Sequence, residues 1–214
     1  MGTEAVIIII ALILSIVLHE MAHGYAAHWL GDPTARLQGR LSLNPLVHLD
    51  PLGSILVPAL LFFGNAGFIF GWAKPVPYNP YNLSDQRYGE AKVAAAGPLV
   101  NIAIALMFSV LIRAEATLGL SATFLDIASY VVYLNILLAL FNMIPIPPLD
   151  GSKILTALLP WRAAQSYRAF TMWFEQYGLI ASLLFIFVFI NLFWAPFSIA
   201  VFSVFELFTG MGGL

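Results

Sequence analysis

The chain of 214 residues is 61% hydrophobic and 9% charged, with mean hydropathy +0.90 and formal net charge −2. A soluble domain is about a quarter charged, so this composition excludes a soluble globule and points to an all-α polytopic membrane protein in a lipid bilayer. The small net charge gives no electrostatic basis for binding nucleic acid, and the absence of cysteine excludes disulfides and thiolate metal sites, leaving His, Asp and Glu as metal ligands.

The first predicted element is a span over residues 5–30. Met1–Glu4 lacks a basic stretch, so no cleavable signal peptide is expected. Val6–Leu18 carries one polar residue, Ser15, and then His19, Glu20 and His23 arrive within five positions. Ionisable groups at membrane depth are costly and are functional candidates by default. A helix turns about 100° per residue, so His19 and His23 share a face. Two imidazoles at that spacing can hold one Zn²⁺, with Glu20 beside them as the base that activates water. His28 falls about 140° away from that face and is expected to point elsewhere.

Residues 31–50 form a β or loop region. Arg36–Leu43 alternates polar with apolar residues apart from Gly39, the period of a strand. It reads either as a small membrane-associated β element whose edge pairs with an unwound substrate chain, or as an ordinary surface hairpin. His48 reads either as a gating ligand folded over the metal or as a loop histidine bonded to backbone. The apolar stretch 51–70 is interrupted by Pro58, Gly64, Asn65 and Gly67, and is expected to be a re-entrant segment or a short span. Gly71–Ser84 is rich in Pro, Tyr and Asn and is expected to be extended.

A second full span is expected at 90–113. It has a small-residue face at Ala94–Gly97, and Asn101 on that face is expected to hydrogen-bond the metal-binding helix or loop. A third, at 125–143, ends in Asn142-Met-Ile-Pro-Ile-Pro-Pro-Leu-Asp150-Gly151. Pro145, Pro147 and Pro148 stop regular helix, and broken helix at membrane depth is tolerated where it lines a cavity or is buried in protein. Asp150 therefore reads as a carboxylate delivered to a metal, or as the N-cap of a helix starting near Ser152. Residues 177–208, containing Pro196, make a C-terminal span or pair of helices. The fold class is thus a bundle of four to six transmembrane helices in a single domain over 1–214. If 51–70 re-enters, eight of the nine Lys and Arg face the cytoplasm and only Arg113 lies outside, which puts the N-terminus outside and the site toward the cytoplasmic half of a cell-membrane protein.

Three motifs, His19-Glu20-x-x-His23, Gly97-Pro98-x-x-Asn101 and Asn142-x-x-Pro145 leading to Leu149-Asp150-Gly151, occur in this order on three successive spans. In this the chain resembles the site-2 protease family of intramembrane zinc metalloproteases over about residues 5–160. The resemblance implies that His19, His23 and Asp150 bind one zinc ion, that Glu20 is the general base, and that Asn142 holds the substrate strand or the developing oxyanion. It implies a transmembrane protein substrate. Unlike larger members, the chain has no room for a PDZ module between spans or for a C-terminal CBS pair, and it carries an insert at about 31–86. Two other readings are a catalytically silent metal-binding or scaffolding protein and a metal transporter. The intact Glu20 argues against the first. The lack of His, Asp and Glu in Lys92–Ile112 and Gly178–Ala195 argues against the second.

Overall fold

The structure is a computed structural model that describes residues 3–64 and 71–212. The described residues form α-helices joined by short irregular segments. Helix α1 runs Thr3–Trp29 and the short α2 runs Thr34–Leu37. Residues Pro51–Leu56 form a wide helical turn that continues into α3, Val57–Phe63. Helix α4 covers Gly89–Arg113, α5 Glu115–Leu118, α6 Ala122–Asn142 and α7 Asp150–Leu158. Helix α8 runs Trp161–Val188, and α9, Trp194–Thr209, follows after a π-helical turn at Phe189–Phe193.

Among the described residues, four helical segments are long and apolar enough to cross a membrane: Val6–Trp29, Gly89–Arg113, Ala122–Asn142 and the continuous run Trp161–Thr209. Their boundaries fall close to the expected spans except at the last, which begins sixteen residues before the expected start. Two breaks divide it. Gly178 has φ +37 and ψ −104, a conformation closed to ordinary L-residues, and it kinks α8. The π turn comes just before Pro196, whose ring displaces the carbonyl of the preceding turn and removes one helical donor.

Helix α4 is the centre of the bundle and packs against α1, α6, α7 and α9. Its contact with α6 and α9 is a core of Ala105, Ile112, Ala128, Val132, Ile136, Val201 and Phe205. Alanine at Ala105 and Ala128 lets backbones approach closely, which replaces the hydrophobic drive that lipid cannot supply between helices. Arg113, at the end of α4, donates to the carbonyls of Phe208 and Leu207, so it satisfies the last carbonyls of α9. On α1, Val6, Ile9, Ile10, Ile13 and Leu14 face outward, as lipid-facing side chains do.

Two expectations are corrected. No strand occurs among the described residues, and the alternating Arg36–Leu43 is not a β element. Its first part is helix α2, held by Asp32 accepting from the Thr34 N–H and hydroxyl, and Gly39 then turns the chain at φ +65. Alternation alone does not make a strand when no partner edge is present and a side-chain turn at Asp32 starts a helical one. The re-entrant segment finds no support either. Its described part, Pro51–Phe63, is a short helix, and residues 65–70 lie outside the described residues. Trp72 N–H donates to Gly53 O at 3.1 Å, which ties the two ends of this stretch together.

The irregular segment 71–79 that follows runs over one side of α1 and is fastened at both ends. Arg40, 6% exposed, turns inward and donates to the carbonyls of Val47, Lys74 and Pro75. At the far end Asp32, 0% exposed, accepts from the Asn79 N–H at 2.7 Å and from Asn82 Nδ2 at 2.8 Å. Burial pushes the Asp32 carboxyl up, but the bonds from Thr34, Asn82 and Asn79 outweigh it and hold the group below the usual carboxylate range.

Candidate metal centre

His19 and His23 lie one turn apart on α1 with ring centroids 4.7 Å apart. Each is oriented through its Nδ1. His19 Nδ1–H donates to Asn101 Oδ1 at 2.5 Å, and His23 Nδ1–H donates to the Val93 carbonyl at 2.8 Å, both acceptors being on α4. The Nε2 lone pairs are thereby left free and directed to one place. Asp150 Oδ2, at the start of α7, lies 3.2 Å from His19 Nε2 and 3.3 Å from His23 Nε2. The N-cap position of α7 is Leu149, and Asp150 makes no capping bond, so the capping alternative does not describe it.

His19, His23 and Asp150 offer ligand atoms that all lie within 4.8 Å of one another. Two ligands about 2.0 Å from a tetrahedral zinc stand roughly 3.3 Å apart, which is the spacing of each histidine from Asp150 here. Gly97 completes the fit. A Cβ on it would stand 2.5 Å from His23 Nε2 and 2.6 Å from His19 Nε2, so only glycine leaves this side of the centre open. The donor set, two neutral imidazoles with their outer nitrogens hydrogen-bonded and one carboxylate, is that of a zinc centre.

The centre opens on a cavity of about 500 Å³ between α1, α4, α6, α7, α8 and the segment 71–78. Glu20 lines it, and its Oε2 accepts the Val76 N–H at 2.9 Å. Asn142 also lines it, with its amide Nδ2 donated back to Leu138 O on its own helix. Asn101 lies behind His19 and continues inward: its Nδ2 donates to Asn135 Oδ1, and Asn135 Nδ2 donates to Ser15 Oγ and Val131 O. His48 is not brought to the centre. It is buried with Nε2 at 2.9 Å from the Ser42 carbonyl, and it is absent from the cavity lining. His28 is likewise elsewhere, beside Arg36.

Sequence reasoning missed Asn135, Asp32 and the inward turn of Arg40. An amide within the apolar run of α6 was the available signal for Asn135, since such a group needs a partner in the membrane.

These helices and this centre define a multi-pass membrane protein with a two-histidine, one-carboxylate metal group among its spans. The profile of peptidase family M50 matches residues 112–187. YwhC of Bacillus subtilis, named as a candidate zinc metalloprotease, is 41% identical over 182 residues, which are 82% of this chain and 78% of that protein. MJ0611 of Methanocaldococcus jannaschii, named in the same way, is 35% identical over 70% of this chain and 69% of its own. Rip2 of Mycolicibacterium smegmatis is 30% identical over 68% of this chain but only 54% of its own length. The chain belongs to peptidase family M50, the site-2 protease family of zinc metalloproteases. No solved structure matches it significantly.

Proposed function

We propose that the protein is an intramembrane zinc metalloendopeptidase that hydrolyses a peptide bond within or near a transmembrane helix of a membrane-protein substrate. The observation that carries this reading is the convergence of His19 Nε2, His23 Nε2 and Asp150 Oδ2 beside Glu20, in a cavity walled by apolar helices.

In this reading His19, His23 and Asp150 hold the zinc, and residues 1–214 act as one domain. A bound zinc supplies Lewis acidity and lowers the pKa of water. The remaining steps belong to the chain. Glu20 takes a proton from the attacking water and passes it to the leaving amine. Asn142 donates to the substrate carbonyl as its oxygen gains charge, exchanging its bond to Leu138 for this one. Asn101 keeps His19 in the tautomer with a free Nε2. The aliphatic walls, among them Ile16, Leu138 and Ile186, accept the apolar side chains of a membrane helix. With Gly53 and Trp72 bonded to each other, the Lys and Arg before and after this stretch share one side, and their distribution supports an N-terminus outside and a centre toward the cytoplasmic half.

The test is zinc content and cleavage of a purified transmembrane peptide by the wild type, Glu20→Gln and Asp150→Ala. Glu20→Gln keeps zinc and loses activity by at least about 100-fold. Asp150→Ala loses zinc and activity together. Normal cleavage by either variant refutes the assignment of that residue. The orientation is checked by labelling single cysteines introduced into this cysteine-free chain at Ser166 and Ser121, which lie on opposite sides in this reading.

A further inference from the structure

Lys153 is the one Lys or Arg among the described residues that line the cavity, and the catalytic reading gives it no task. It lies three residues beyond Asp150 on α7, which is about 4.5 Å along the helix axis and about 60° short of a full turn. Its ammonium sits over the ring face of Tyr78, 5.2 Å from the centroid, so the side chain reaches from α7 to the segment 71–78. Tyr78 holds the ammonium through its ring and its hydroxyl, and Asp150 and Glu90 lie near enough to act on its charge, but an ammonium has three N–H donors and Tyr78 takes one. Among the described residues no carboxylate lies within ion-pair distance of it. The two acidic groups of the cavity, Glu20 and Asp150, are engaged by the Val76 N–H and by the two histidines.

We propose that Lys153 forms a subsite for an acidic side chain of the substrate, an Asp or Glu placed within a few residues of the bond that is cleaved. The inference rests on the protease reading and adds a substrate preference to it. The surroundings favour a carboxylate over other ligands. The walls are mostly apolar, and a charge-assisted hydrogen bond is about twice as strong as a neutral one. A substrate cation would meet Lys153 with like charge. An extended substrate chain rises about 3.3 Å per residue, so a lysine rooted one turn from Asp150 reaches side chains about two or three residues from the reacting carbonyl.

The experiment uses C-terminally amidated synthetic peptides with a Leu/Ala transmembrane core, carrying a single Asp, Asn or Lys scanned through the central residues. Cleavage is measured with the zinc-loaded wild type, Lys153→Met and Lys153→Glu. Binding of the same peptides is measured with Glu20→Gln alone and combined with each Lys153 substitution. We expect Asp to be preferred over Asn by about tenfold at one or two positions. The preference disappears in Lys153→Met, and Lys153→Glu transfers it to the Lys peptide. Equal binding of Asp and Asn peptides by the Lys153 protein overturns the proposal. So does a preference that survives Lys153→Met, or an equal loss on all peptides in that variant. If the wild type cleaves no peptide, the protease reading fails, while the binding comparison still decides the subsite.

Discussion

The backbone N–H of Val76 donates to Glu20 Oε2 at 2.9 Å, and the residues on either side of Val76 are prolines. Pro75 and Pro77 have no N–H, so the single backbone donor of this tripeptide is given to the side chain read as the general base. The carbonyl side of the segment is held by the buried Arg40 at Lys74 O (2.7 Å) and Pro75 O (3.1 Å), and Lys74 N–H donates to His48 O at 2.8 Å. Arg40 thus acts on Glu20 through the backbone of 74–76. Val76→Pro removes the donor and Arg40→Met releases the carbonyls. Each is expected to lower kcat by roughly tenfold, as loss of alignment at a base does, with a smaller change in KM and zinc content unchanged. Steady-state kinetics with metal analysis checks this, and Arg40→Lys should recover part of the loss.

Gly97 makes a second prediction. Its missing side chain is the space in front of both Nε2 atoms. Gly97→Ala puts a methyl group there, and neither histidine can retreat while its Nδ1 is bonded to α4. Zinc affinity is expected to fall by more than about tenfold, read by competition with a chelator, while the helical circular dichroism signal is kept.

The amide chain behind the centre gives a graded outcome. Asn101→Ala removes the acceptor of His19 Nδ1 and should weaken zinc binding by about 10- to 100-fold. Asn135→Ala leaves the His19–Asn101 bond in place and breaks the bonds to Asn101 and Ser15. Interhelical hydrogen bonds in membranes are worth about 0.6 kcal/mol on average, so this variant should lower thermal stability slightly and zinc affinity little. Thermal unfolding in detergent together with zinc titration separates the two effects.

How much of this was legible in the sequence differs by residue. The grouping of His19, His23 and Asp150 was legible because metal coordination demands particular side chains at particular spacings, and prolines mark where a helix stops. The four spans could be read because hydrocarbon thickness fixes a length. The contact between Val76 and Glu20 could not be read, since a backbone donor carries no side-chain signature. Arg40 counted in the sequence as one more topological charge, yet it is buried against three carbonyls. The alternation at Arg36–Leu43 misled because period two describes exposure on a strand only when a neighbouring strand exists. His48 drew attention because its loop precedes the stretch expected to re-enter, and of its two readings the structure has the loop histidine, with Nε2 bonded to Ser42 O.

Asp32 sets a pH dependence. Its carboxyl is held below the ordinary value of about 3.9 in the folded protein. A depressed carboxyl contributes stability that is fully present above its unfolded value and is lost as pH falls through the folded one. Asp32→Ala is expected to lower stability at neutral pH by about 2–3 kcal/mol, because a buried carboxylate with charge-assisted bonds is removed. The gap in melting temperature between wild type and variant should close as pH drops from about 4 downward. A gap that stays constant over that range would sink the assignment.

The two halves of the metal centre are 131 residues apart in the chain, His19 on the first span and Asp150 beyond the third. A chain still being synthesised and inserted has one ligand helix in the bilayer long before the carboxylate is made. Two imidazoles alone hold zinc weakly, so in the proposed reading the centre is complete only once α7 has been made and docked against α4. On the proposed reading, the order of synthesis thus makes Asp150 the last of the three metal ligands to arrive.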